Sequence, residues 1–165
     1  MSITTADVRM YIAQLHQDFP GLRLLRGRAA STRALTIGRW LWLPSTWDSR
    51  PPPQQYILLR HEAIHLAQYT RLGGGNAWLG VIPFLLCYLF LPVPVGFAWF
   101  RWTWEREAYL AQMQAEALAY GAEGLLTRRS YYVQQLSGKA YFWCWIVHGS
   151  IPQWVDKTMA QLSQA

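Results

Sequence analysis

The chain has 165 residues and a formal net charge of +6; 52% of it is hydrophobic, 15% aromatic and only 15% charged. That length normally makes one domain with a core of its own, and no internal repeat or low-complexity tract argues otherwise. Thirteen of the fifteen basic residues are arginine, a balance that fits a solvated basic surface, an anionic membrane surface or nucleic acid. Cys87 and Cys144 sit among apolar neighbours outside any metal-binding spacing and read as buried free thiols.

Residues 1–19 carry Asp7, Arg9, His16 and Asp18, with no apolar core after a basic start. No classical signal peptide is expected, and a cytoplasmic or peripherally membrane-associated protein follows. Residues 5–19 predict a first helix, capped by Thr4 or Thr5, with Val8, Ile12, Leu15 and Phe19 at helical spacing. Pro20-Gly21 ends it. Residues 22–43 are β-like, and 35–43 reads as the last strand, leading into Pro44.

Pro51-Pro52-Pro53 then sets up a helix start, because proline is tolerated in a first turn. The helix predicted over 54–72 stops at Gly73-Gly74-Gly75 and contains His61-Glu62-Ala63-Ile64-His65. One turn separates the two histidines, so both imidazoles leave one face and can hold a single zinc ion. Glu62 lies beside them, where a carboxylate can take a proton from activated water. With 4 His in 165 residues, about 0.003 accidental matches to HExxH are expected.

No charged residue occurs between Arg71 and Arg101. Residues 77–100 are apolar enough to span a bilayer by length, but Pro83, Pro92 and Pro94 interrupt them. A third metal ligand downstream requires the chain to return to the side it left. A hairpin turning at residues 91–94 has a first leg of roughly 21 Å, short of the roughly 30 Å hydrocarbon core. The segment therefore reads as a returning lobe that packs internally, dips into one leaflet or meets a protein partner.

Residues 102–120 predict a second long helix closed by Gly121, followed by shorter helices over 125–135 and 151–161. The class is α+β and helix-dominated, as one domain with a small N-terminal sheet. Catalytic zinc usually keeps three protein ligands. Gln68 and Arg71 stand where a three-histidine site would have Gly and His. Glu105 and Glu107 on the second long helix are the candidates, and only one faces the metal, since residues two apart point to nearly opposite sides.

His-Glu-Ala-Ile-His, followed some forty residues on by Glu105-Arg106-Glu107-Ala108-Tyr109, resembles the gluzincin zinc metallopeptidases, especially the small single-domain ones. The resemblance covers roughly residues 35–120. It implies a zincin-like domain in which His61, His65 and Glu105 hold Zn2+ and Ala108 allows a close helix approach. Tyr109 stands where many relatives have Asp. Glu62 is then the general base, the substrate is a peptide or protein, and the strand before the motif helix is the edge that aligns it. His148 is a candidate for steadying the oxyanion, with Tyr109 and Tyr141 as competitors; its plainer reading is a satisfied core or surface histidine.

The competing expectation is a non-catalytic zinc-fold protein that binds a membrane surface or a protein partner through the 77–100 lobe. The intact Glu62 speaks against it, because a zinc scaffold alone does not need that carboxylate. Arg23, Arg26, Arg28, Arg33 and Arg39 cluster near the N-terminus, but no helix-turn-helix or zinc-finger spacing accompanies them, so nucleic acid is disfavoured as a partner.

Overall fold

The computed structural model describes residues 3–26, 33–89, 99–137 and 149–164. These residues form six α-helices and a small three-stranded sheet, an α+β arrangement dominated by helix. They fall into two compact units, Ser2–Phe84 and Leu85–Ala165.

The first unit begins with α1 (Thr5–Asp18). Thr4 caps it reciprocally with Asp7: the Thr4 Oγ1 accepts from the Asp7 N–H, and the Asp7 carboxylate accepts from the Thr4 N–H at 2.7 Å. The Thr4 hydroxyl and the Thr4 N–H each donate to the Asp7 carboxylate at 2.7 Å and hold its carboxyl below the usual carboxylate range. Val8 and Leu15 face the core. Three strands follow, β1 (Arg23–Arg26), β2 (Leu35–Ile37) and β3 (Trp40–Leu43), in the order β1-β3-β2. β1 runs parallel to β3, and β2 runs antiparallel to it with Ile37 opposite Trp40 and Leu35 opposite Trp42.

The single strand expected over 35–43 is therefore a hairpin. Gly38 takes φ +59°, a backbone region that side chains with a Cβ rarely adopt, and Gly38-Arg39 turn the chain back on itself. The correction changes which strand is the edge. β3, next before the motif helix, is the central strand, and β2 is an edge.

α2 (Pro52–Leu72) starts on two prolines in its first turn and stops at Gly73, with Gly74 and Gly75 at φ +59° and +98°. Ile57, Leu59, Leu66 and Tyr69 are buried along it. α3 (Ala77–Leu89) is close to α2 where a backbone meets a backbone: a Cβ on Gly80 would lie 1.8 Å from the Tyr69 carbonyl oxygen. Phe84 of α3 lies on Tyr69, with ring centroids 4.3 Å apart. The turn expected at residues 91–94 lies outside the described residues. Among the described residues, no helix is long and apolar enough to cross a membrane.

The second unit contains α4 (Trp99–Thr127), α5 (Arg129–Ser137) and α6 (Ser150–Ser163). The first helical stretch of α4 closes at Gly121, as expected. That glycine breaks the helical geometry at φ 73° and ψ 178°, and the chain resumes helix to Thr127. Trp102, Tyr109, Met113, Leu125, Tyr132, Leu136, Ile151, Val155 and Met159 form the core of this unit. Arg129 of α5 makes a paired contact to Asp156 of α6 at 2.5 and 2.9 Å.

Candidate metal centre

The motif helix delivers the geometry that its spacing implies. His61 and His65 sit one turn apart on α2, with ring centroids 5.1 Å apart and planes at 71°. On α4, Glu105 is buried, as are its neighbours Trp102, Trp104 and Ala108. His61, His65 and Glu105 each offer one ligand atom, and these atoms all lie within 4.8 Å of one another. The three residues form a group that could hold a metal ion.

The donor set fits such an ion. Two imidazole nitrogens and one carboxylate oxygen suit a divalent transition metal and leave a position open for a reactant. Glu107 is not a member of the group among the described residues.

Two further contacts steady it, and neither was anticipated from the sequence. Gln68 is buried one turn beyond His65 and its amide oxygen lies 2.9 Å from His65 Nδ1. An amide oxygen only accepts, so Nδ1 carries the proton and Nε2 keeps its lone pair for a metal. The spacing from His65 to Gln68 is i to i+3 on a helix, a signal that was available. Thr36 of β2 donates its hydroxyl to Glu62 Oε2 at 2.6 Å, and both residues are buried. Glu62 is only 6% exposed, so its carboxylate is taken out of water and needs that donor. A polar side chain on the inward face of an otherwise apolar strand is a hint that it has a buried partner, but nothing in the sequence says which.

β2 is itself fixed against α2, because the Tyr69 hydroxyl donates to the Thr36 carbonyl oxygen at 3.1 Å. The strand, the general-base candidate and the two histidines are thus tied together by α2. Of the remaining candidates, Tyr109 lies in the hydrophobic core of its unit, edge-on to Tyr132 at 5.8 Å. His148 and Tyr141 fall outside the described residues. His16 is exposed on α1.

No protein-family model, no curated protein and no solved structure matches this chain. The functional reading rests on the arrangement of its own residues.

Proposed function

We propose that this protein is a zinc-dependent peptidase of the gluzincin type, acting on peptide bonds of a peptide or protein substrate. One observation carries the reading: the carboxylate adjacent in sequence to His61 is buried and tethered by Thr36, while His61, His65 and Glu105 converge as a ligand group. A structural metal site would not need a buried carboxylate inside its motif, and burying one without a use for it is costly.

Zinc held by His61, His65 and Glu105 would supply Lewis acidity, acidifying water and polarising a carbonyl. The chain's own residues do the rest. Glu62 accepts a proton from the attacking water and passes it to the leaving amine. Thr36 fixes one oxygen of that carboxylate, leaving the other to exchange the proton. Gln68 sets the tautomer of His65. Two neutral imidazole ligands and one carboxylate would leave a bound divalent ion a net positive charge. The order of small sheet, HExxH helix and glutamate-bearing helix agrees with the zincin-like arrangement that the resemblance implies.

Metal analysis of the purified, zinc-equilibrated protein is the first test. About one zinc per chain is expected, and His61→Ala should remove it. Glu62→Gln should retain zinc and abolish cleavage of a broad fluorogenic peptide library. Cleavage that survives Glu62→Gln refutes the mechanism, and absence of bound zinc refutes the centre.

A further inference from the structure

A small sheet packed on one side normally buries that face and turns a polar face to solvent, as antiparallel pairs such as β2 and β3 do. Here the inward face is the expected one, with Thr36, Leu41 and Leu43 buried. The opposite face is apolar as well. Leu35 and Ile37 of β2 share it with Trp40 and Trp42 of β3, as their register pairs them directly. Trp40 and Trp42 meet edge to face at 5.5 Å, and Trp78 of α3 extends the cluster, 4.9 Å from Trp40. A Cβ on Gly38 would strike the Trp78 ring at 2.6 Å, so the hairpin turn and α3 are fitted together there.

This composite surface is partly open to solvent: Leu35 is exposed, while Ile37 and Trp42 are half-buried. Trp40 is 38% and Trp78 41% exposed, and beyond them on α3 Leu79 and Ile82 are 68% and 69% exposed. α3 has no charged residue, and its 13 residues measure about 20 Å, too short to cross a bilayer. The stretch of sequence that carries the sheet is basic. Seven arginines and one acidic residue, Asp48, lie between positions 19 and 61, and Asp48 is ion-paired to Arg26 at 3.0 Å. Arg23 sits opposite Trp40 in the sheet register and is exposed, as is Arg33.

We propose that this face of the sheet, continued by Trp78, Leu79 and Ile82, is a docking surface for an anionic lipid bilayer. The residue types are those of an interfacial anchor. Indoles pair an apolar body with one N–H that suits the headgroup level. Aliphatic tips enter the outer acyl region, and arginines meet lipid phosphate. The absence of free acidic charge in this stretch is what separates a lipid surface from an ordinary protein interface, where mixed charges fix the register. The surface does not depend on the metal centre, so zinc removal should leave it intact.

Vesicle co-sedimentation of the full chain tests it, with phosphatidylcholine alone and with about one-third phosphatidylglycerol added. Binding is expected only to the mixed vesicles, with a blue shift of tryptophan emission and weakening in about 0.5 M salt. Chelating the metal should change nothing. Leu79→Gln/Ile82→Gln, at exposed positions that leave the fold undisturbed, should lower the partition about tenfold or more. Arg23→Gln/Arg33→Gln should lower it several-fold at low salt only. Failure to bind mixed vesicles at low salt overturns the proposal. So does a stable dimer or protein complex that the Leu79/Ile82 variant dissolves, or equal binding to nucleic acid that this variant leaves unchanged.

Discussion

Replacing Thr36 with valine isolates what holds the general-base candidate. Valine is close to isosteric with threonine, so the buried site stays filled, and the Tyr69 bond reaches the backbone carbonyl of residue 36 and survives the change. What disappears is the donor to Glu62 Oε2 at 2.6 Å. A buried hydrogen bond to a charged acceptor contributes about 1.5–3 kcal/mol. If that interaction positions Glu62 in the transition state, kcat/KM falls about 10- to 150-fold at 1.36 kcal/mol per decade. The loss should appear in kcat, with KM and zinc content close to those of the parent, because the hydroxyl touches neither substrate nor metal. Steady-state cleavage of a fluorogenic peptide, alongside metal analysis of the same preparations, gives the readout. Thr36→Ser keeps the hydroxyl at the cost of a freer rotamer and should stay within about threefold. Undiminished kcat in Thr36→Val refutes the positioning role, and so does a loss that merely parallels loss of zinc.

Gln68→Leu removes the acceptor at His65 Nδ1 and should weaken zinc binding about 10- to 100-fold, measured by competition with a chromogenic chelator. Gly80→Ala forces a methyl group against the Tyr69 carbonyl; destabilisation of about 1–3 kcal/mol by urea unfolding is expected. Glu116 provides a pH test away from the metal centre. Its burial raises the carboxyl above the usual range, opposed by Arg128 at 3.6 Å. Stability contributed by the neutral acid is complete below the ordinary carboxylate pKa and is lost as pH climbs through the raised one. Glu116→Gln should therefore gain in Tm relative to the parent as pH rises from about 4 to about 8, and a difference independent of pH contradicts the assignment.

The motif helix was legible because its spacing, its proline start and its glycine stop are local signals read against a period of 3.6 residues. Glu105 was not legible in that way. Forty residues separate it from His65, and only the resemblance singled it out from Glu107. The hairpin at Gly38-Arg39 was overlooked because Leu35, Ile37, Trp40 and Trp42 make one continuous run of strand formers. The glycine within that run was the available warning. The break at Gly121 was legible because glycine alone takes φ 73° without strain, and the helical geometry stops there. The apolarity of the outer sheet face was hidden for a different reason: once β2 and β3 were read as a single strand, their pairing could not show that Leu35, Ile37, Trp40 and Trp42 share a side.

The short edge strand also limits how a substrate can be gripped. Across a two-residue turn the flanking pair, Ile37 and Trp40, exchanges both main-chain bonds, so the next pair, Thr36 and Leu41, points its amide groups outward. β2 is three residues long, so Thr36 is its one outward-facing rung, and the Tyr69 hydroxyl already occupies a lone pair of the Thr36 carbonyl. A peptide lying along this edge finds a toehold of one N–H and half a carbonyl rather than a ladder. For the proposed peptidase, discrimination among substrates would fall to side-chain pockets, and scissile-bond alignment would depend on the same threonine that tethers the base.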